Sequence, residues 1–548
     1  MARSNKSTNH KRGGTVLIIS MIFLIIFSAL AVSMATLSGT NVKIASNQHK
    51  VNSALMAAQS GLECGKYLIT TIPTLPSTSH NIVSGAEADL VWNILCQHLQ
   101  NTAFNGQTVP ASARFSDAIG SGDEIITVPL DFGSVNTDFT LRFYRYDGSP
   151  QIIKIQSTGT NGEAVKQVSM DLKVTKDSEV LNYAVASRGR MWLTGDSTIH
   201  GDVFSAWDRA SISPYNMTSD TSVLGTINTV LTLDQIKSQS YHLETLDGND
   251  NPIDANGAPL SGNFEDRYYG PNDEIKAYHE GINYGRPYNN MPGMDISDYD
   301  TDDYATGLTS IPSPSLPTET EYFPHASGNY NYPRDGTPSR TSNRKLNRSV
   351  YESQTFTNAK LASNRNALFR NCTFEEVLYI DCAKSTSTYY NNVRFENCTF
   401  NGVIVTNVPQ SFKWQNNCLY FTGEATFENT SSIQEATILA PHFNVNLGNT
   451  NPVQNENNVL TGAIIGGIVD VRGNAQIYGT IISMCDTTQW TSGYVTNIGA
   501  TLDDGGSETT ELGDIGVISI TPDQDQMLPS GITTPIVIRP QQNTYSEG

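Results

Sequence analysis

Asp247-Gly248-Asn249-Asp250-Asn251 has the alternating oxygen donors with which a calcium loop opens. Pro252 stands where such a loop needs Gly, and Ala258 where it needs a closing Glu, so the stretch reads as a turn cluster. Asp295, Asp298, Asp300, Asp302 and Asp303 could gather a hard cation, but a solvated acidic loop is the simpler account. Gly195-Asp196-Ser197 has the form of a hydrolase nucleophile block. A sister stretch reads Gly473-Asn474-Ala475, without a nucleophile, so Ser197 reads as a turn residue. His200 has Tyr478 as its counterpart and reads as a surface position. Glu375, Glu376 and Asp381 are the carboxylates a sugar-cleaving site would need, with a basic partner. Their counterparts one repeat later, Asn401, Gly402 and Asn407, are neutral. There is no phosphate loop, HExxH or Gly-x-Ser-x-Gly. The expectation is a protein that is not an enzyme, with no catalytic residue, metal ligand or cofactor.

Composition narrows the class. A chain of 548 residues implies at least two folded units. A formal charge of −20 argues against nucleic acid, which is held through Lys and Arg. Abundant Asn, Thr, Ser, Gly and Tyr with little Lys fit an exported, β-rich protein. The seven Cys include no CxxC pair and no zinc spacing. Two arrangements stay open for Cys372, Cys382, Cys398 and Cys418: an inward ladder of small apolar groups, or disulfides between adjacent layers.

These stretches must be positioned by something, and the N-terminus says by what. From Thr15 to Met34 the sequence has no charge and no Pro, with Lys6, Lys11 and Arg12 before it. About 20 such residues cross the ~30 Å hydrocarbon of a bilayer. The basic flank places the N-terminus in the cytoplasm and the bulk outside, periplasmic or extracellular. The alternative is a cleaved signal peptide. Helical character continues through Val42, Ile44, Val51, Leu55, Ala58 and Leu62 toward Pro73, which a signal peptide does not need.

Two stretches carry a family resemblance: Lys11-Arg12-Gly13-Gly14-Thr15-Val16-Leu17-Ile18-Ile19-Ser20, and Ala45-Ser46-Asn47-Gln48 with Ala57-Ala58-Gln59-Ser60-Gly61-Leu62-Glu63. They resemble the N-terminus of type IV pilins and pseudopilins, most closely PilX-like minor pilins. Ser46 replaces a family Gly, and Gln59 the first Glu of the second motif. The resemblance implies cleavage by a prepilin peptidase after Gly14, or else after Gly13, freeing Thr15 as the mature N-terminus. It also implies packing against other pilin or pseudopilin subunits. Major pilins carry Glu at the fifth mature position. Here that position is Ile19, or Ile18 after cleavage at Gly13, which points to a minor or tip subunit.

Beyond the anchor, Ser84-Gly85-Ala86-Glu87 is a capping box opening a helix to about Gln100. Phe139, Leu141 and Phe143 alternate with polar residues, as do Ile153 and Ile155. Val168, Met170, Leu172 and Val174 follow a turn at Asn161-Gly162, which makes an antiparallel sheet. Then come repeats. Gly195–Ser205 aligns with Gly473–Ser483. Asn371-Cys372-Thr373-Phe374 recurs as Asn397-Cys398-Thr399-Phe400, and Asn417-Cys418 follows. Aromatic-x-Asn recurs at Phe369, Phe395, Trp414 and Phe427. Short β runs at this period indicate a parallel β-helix with Asn at corners and Cys or Phe inside. A β-sandwich is the runner-up.

The expected fold is an α+β pilin-like module, long helix plus antiparallel sheet, joined to a mostly-β, right-handed parallel β-helix. Its parts are a leader at 1–14, the anchor helix at 15–70, an α+β domain at 71–180, and the β-helix at 181–500. An acidic, Tyr- and Asn-rich insertion falls at about 206–350, and a loop, strand and Pro-rich tail at 501–548. The expected function is that of a minor or tip subunit with a structural and adhesive role in a pilus or secretion pseudopilus. Its partners would be the inner membrane, other pilin or pseudopilin subunits, the prepilin peptidase, and a polysaccharide or surface ligand. The alternative is a membrane-anchored β-helix that binds or degrades polysaccharide.

Overall fold

Fifty-eight residues, Gly13–Thr70, form one helix, α1. Nothing in its sequence breaks it before Pro73. The computed structural model describes residues 13–80, 82–104, 107–108, 114–118, 122–127, 129–134, 136–146, 148–193, 197–209, 214–217, 221–237, 278–287, 291, 293–294, 307–314, 316–322, 345–381, 391–407, 417–423, 425–427, 436–447, 458–471, 475–484, 495–499, 518–522, 528 and 530–548. The chain divides into two units. One holds the residues up to Pro76, Val83–Thr175 and Ile536–Gly548; the other holds Ser77–Ile82 and Lys176–Pro535.

In the first unit the second half of α1 lies on an antiparallel sheet. Its strands are β1 Arg114–Ala118, β2 Gly122–Ile126, β3 Leu130–Ser134, β4 Thr137–Tyr146, β5 Ser149–Asn161, β6 Ala164–Lys176 and β7 Ile532–Glu547. The order is β7-β6-β5-β4-β2-β1, with β3 also on β4. The hairpin β5–β6 closes at Gly162, whose φ of 59° suits the turn. The expected inward residues are the core: Leu141, Phe143, Ile155 and Leu172 are fully buried. Helix α2, Gly85–Asn101, starts at the capping box, with Ser84 and Glu87 satisfying each other's backbone N–H groups. It buries Val91, Trp92, Leu95, Cys96 and Leu99 in the same core.

The Ala57-Ala58-x-x-Gly61-Leu62 motif has a steric explanation. Ala54, Ala57 and Ala58 have no exposed surface. A Cβ on Gly61 would collide with Ser157 and Phe139, and one on Gly159 with the backbone of Ala54 and Ala58. Helix and sheet approach backbone to backbone, and only small residues permit it.

The expected strand after the C-terminal loop is present at Ile518–Thr521, the loop itself lies outside the described residues, and the expected Pro-rich tail is instead a strand. β7 runs over 16 residues, and from Ile536 onward it completes the pilin-like sheet. Gly548 exchanges backbone hydrogen bonds with Gln167, Ser546 pairs with Ser169, and the Thr544 hydroxyl accepts from the Asp171 N–H. These pairs fix β6 and β7 as antiparallel neighbours. Pro540 is tolerated because, among the described residues, no strand pairs with the outer side of β7 beyond Ile536. The β-helical unit is therefore an insertion between the last two strands of the pilin-like unit, not an appended head.

The second unit is a parallel β-helix of three sheets. Sheet one stacks, in spatial order, 359–361, 378–380, 404–406, 438–440, 464–466, 481–483, 185–187, 203–205, 227–229 and 281–283. Sheet two stacks 355–357, 373–375, 399–400, 426, 459, 475–478, 518–521, 197–199, 222–223 and 278–279. Sheet three runs from 349–352 through 367–370, 392–396, 418–422, 444–447, 468–471, 495–498 and 190–193 to 215–217.

The spatial order is not the chain order. One coil is composite: 495–498 and 518–521 supply two sides, and 183–187, three hundred residues earlier in the chain, supplies the third. The described parts of the two sister repeats, 197–205 and 475–483, lie on either side of it. The chain enters and leaves at this coil, where the Asp177 N–H donates to the Pro535 carbonyl. Part of the expected insertion at 206–350 is also solenoid: Tyr215–Met217, Ser222–Thr229 and Tyr278–Asn283 are coil strands. Their shortness hides them in the sequence.

Aromatic rungs fill the interior. Tyr351, Phe369, Phe395 and Phe421 stack along sheet three, with centroids 4.8, 5.5 and 5.0 Å apart. Phe356, Phe374, Phe400 and Phe427 stack along sheet two at 5.4, 5.1 and 4.5 Å. Phe427 thus continues the Phe374–Phe400 ladder and not, as the aromatic-x-Asn repeat suggests, the ladder of Phe369 and Phe395. The corner between the two ladders is occupied by Ser353, Asn371, Asn397 and Gly423, all with positive φ. Asn is the side chain that best tolerates that conformation.

Sheet one is buried on both faces, which explains continuous runs such as Val403-Ile404-Val405. On its outer side Tyr379, Val405, Leu439, Ile465 and Ile482 pack with Leu181, Leu528 and Ile532. His279, opposite Val223, is 1% exposed, and burial lowers its pKa to about 4 from 6.5. The unfolded chain therefore takes up a proton that the folded one refuses. Stability is complete above pH 6.5 and falls as pH drops toward 4, by up to roughly 3 kcal/mol. Urea midpoints measured from pH 7.5 to 4.5 should fall in the wild type and fall less in His279→Gln.

Candidate functional site

The first candidate surface is the front half of α1. Gly14 to Lys50 is exposed at every position, a length of roughly 55 Å. No part of the most apolar window is buried, and its mean hydropathy is 2.8. Val16, Leu17, Phe23, Leu24 and Phe27 are each more than half exposed. Water does not tolerate such a helix; a bilayer or neighbouring apolar helices must cover it. Gly13, Gly14 and Thr15 open the helix. The leader before Gly13 lies outside the described residues. Ile18 and Ile19, at the two possible fifth mature positions, present hydrocarbon and no carboxylate.

Residues 12–63 match the family model described as PilX N-terminal. The N-terminal segment is pilin-like. That match covers the motif stretches and extends into the part of α1 that packs on the sheet. No curated protein matches the chain. Among solved structures, the competence-associated pilin ComZ from Thermus thermophilus is similar at 12% identity, over 91% of this chain and 97% of that one, with a TM-score of 0.27. A likeness of that degree carries no argument.

Gln59, where the family motif has Glu, lines an open pocket on the same unit with Ser60, Leu62, Glu63 and Tyr545. Its amide donates to the Tyr545 hydroxyl at 3.4 Å and to Glu547 at 3.2 Å. A Glu here would set a second carboxylate against Glu547, so the departure from the motif accompanies the returning C-terminal strand.

The second candidate surface is the outer face of sheet two. Thr355, Thr373, Thr399 and Thr426 stand in register on successive coils. Farther along, Gln476, Tyr478, Thr521 and His200 are exposed, Tyr478 by 49%. Hydroxyls, an amide and an aromatic ring on one face that the described residues leave open suit hydrogen bonding and stacking.

The residues that could do chemistry are not gathered on it. Ser197 is 1% exposed, with its hydroxyl against that of Thr221. His200 and Tyr478 are both outer-surface positions, as expected of counterparts. Glu375 accepts from the Thr357 hydroxyl at 2.8 Å. Glu376 holds a corner with φ of 62°, above Gly402. Asp381 faces Lys360 at 3.9 Å and accepts from Asn407. The stretches 247–251 and 295–303 lie outside the described residues.

Two polar groupings escaped sequence reasoning. Arg370 is forked onto both oxygens of Glu319 at 3.2 Å and also reaches Glu396. Those carboxylates push its pKa up. On sheet three the carboxylate of Asp470, fully buried, accepts from Asn446 and Asn497 on the coils either side. Arg370 and Glu396 are in register one 26-residue repeat apart, so the Asn-Cys-Thr-Phe alignment could have paired them; Glu319, and the Asn446–Asp470–Asn497 row outside that repeat, carry no comparable sequence signal.

Cys372, Cys398 and Cys418 are buried and unbonded. Cys372 and Cys398 occupy the same slot on adjacent coils, followed by Ala425. Cys418 is elsewhere, in register with Asn392 and Asn444, and burial pushes its thiol up to about 12. Cys382 lies outside the described residues.

Proposed function

We propose that the protein is a pilin-like minor subunit of a type IV pilus or secretion pseudopilus, held in the inner membrane by α1 before assembly. The observation that carries this reading is the bare apolar half of α1 inside the PilX-matching segment. It is mounted on an α+β unit through the small-residue motif. Thr15 becomes the mature N-terminus after prepilin peptidase cleavage, and the bulk lies outside the cytoplasm. The missing carboxylate at Ile19 favours a minor or tip position. The solenoid serves display and adhesion without catalysis. The Thr-rich outer face of sheet two favours a polysaccharide or other polyhydroxylated surface ligand. The same face keeps a second reading in play, a membrane-anchored polysaccharide-binding protein that never enters a filament.

Immunodetection in sheared filaments separates the two. The proposed subunit is expected in the filament fraction of cells with the prepilin peptidase and in the membrane fraction of cells without it. Residence in the membrane fraction of both contradicts the filament role.

A further inference from the structure

The repeated Asn-Cys-Thr-Phe brings two thiols together. Thr373 and Phe374 pair in register with Thr399 and Phe400, and the Thr399 N–H donates to the Cys372 carbonyl at 3.0 Å. Cys372 and Cys398 therefore sit one above the other on adjacent coils. Parallel strands lie about 4.8 Å apart, inside the ~4.4–6.8 Å between Cα atoms that a disulfide spans. Both residues are 1% exposed. The Cys372 thiol lies against the carbonyls of Tyr351 and Arg370, and the Cys398 thiol against those of Phe369 and Glu396. In the flanking coil the slot holds Ala425, which ends the thiol pair on that side.

We infer that Cys372 and Cys398 are an intramolecular disulfide-forming pair that staples two neighbouring coils of the solenoid, formed by exchange with a disulfide-bearing oxidant before the coils close. The inference rests on the extracytoplasmic placement proposed above, because that is where such oxidants persist.

The coils are still open when the oxidant is engaged, so both thiols are solvated and either can supply the first thiolate. With Cys372 first, its thiolate attacks one sulfur of the oxidant's disulfide and releases the other as a thiolate. Cys398 then loses its proton to that leaving thiolate and attacks the Cys372 sulfur, expelling the second; starting from Cys398, the same two steps give the same bond. Two protein thiols give up two electrons and two protons, and the oxidant's disulfide becomes two thiols. The closed coil admits neither oxidant nor reductant, so the bond forms during folding and afterwards resists reduction. Cys418, between Asn392 and Asn444, takes no part.

The test is peptide mass spectrometry of the full-length protein, extracted from membranes into acid and alkylated in denaturant without reductant. A second sample is reduced, unfolded in urea and refolded with oxidised glutathione. The expected result in both is a cross-linked Cys372–Cys398 peptide pair, with Cys418 alkylated. Without denaturant, a phosphine reductant should leave the bond intact; in urea it should remove it. Alkylation of Cys372 and Cys398 in both samples overturns the inference, as does a bond from either to Cys382 or Cys418. A bond in the refolded sample alone upholds the pair and contradicts the extracytoplasmic placement.

Discussion

Deleting residues 536–548 is expected to unfold the pilin-like unit, although the deletion lies hundreds of residues from α1. Ile536 is 1% exposed in the core that holds Phe143 and Ile155. Burying such a side chain contributes about 1.5–3 kcal/mol. The strand also supplies the outer partner of β6, through Gly548 to Gln167, Ser546 to Ser169 and Thr544 to Asp171. Each net hydrogen bond contributes about 0.5–1.5 kcal/mol. The Gln59 link to Tyr545 and Glu547 goes as well. Together these losses reach most of the ~5–15 kcal/mol that holds a domain folded. Limited proteolysis checks it: new cuts are expected across 83–175, while the coil strands at 355–380 and 392–406 keep their protection because the solenoid core contains nothing from the deleted strand. Protection of 83–175 in the truncated protein would refute the insertion topology.

The second large effect is expected from Phe395→Ala. Its ring stacks on Phe369 at 5.5 Å and Phe421 at 5.0 Å, and meets Phe374 and Phe400 edge-on at 5.5 and 5.2 Å. Truncating a fully buried Phe costs about 3–5 kcal/mol. The upper end applies here, because the neighbouring rungs are fixed by the coil repeat and cannot collapse into the void. The adjacent Arg394→Ala, which empties no core slot and removes a guanidinium 5.9 Å from the Tyr420 ring, should shift the midpoint far less. Urea unfolding of the two variants should therefore differ several-fold in midpoint shift. Equal shifts would mean that the aromatic ladder is not the solenoid's core.

What the sequence reveals follows from how far each signal reaches. The capping box at Ser84 and Glu87, the alternation around Leu141 and Ile155, and the turn at Gly162 act over a few residues and are legible. The solenoid shows itself where repeats keep chain order, as at Cys372 and Cys398. It fades at the next coil for a physical reason. There Gly423 supplies the positive φ of Asn397, Ala425 the small inward group of Cys398, and Glu424 adds one residue, so the same rung no longer looks like the same motif. The composite coil leaves no periodic trace at all, because its three sides come from 183–187, 495–498 and 518–521. Nor does β7, whose pairing partner β6 is separated from it by the whole inserted solenoid. Of the candidate surfaces, the α1 front half is readable from hydropathy alone. The exposed face of sheet two is not, because the sequence does not say which of the three faces the chain itself covers.

The most direct test of the central claim is the mass of the mature N-terminal peptide, measured in cells with and without the prepilin peptidase. A chain beginning at Thr15 only when the peptidase is present is the expected result. An intact leader in both, or cleavage beyond Met34, would contradict the pilin reading.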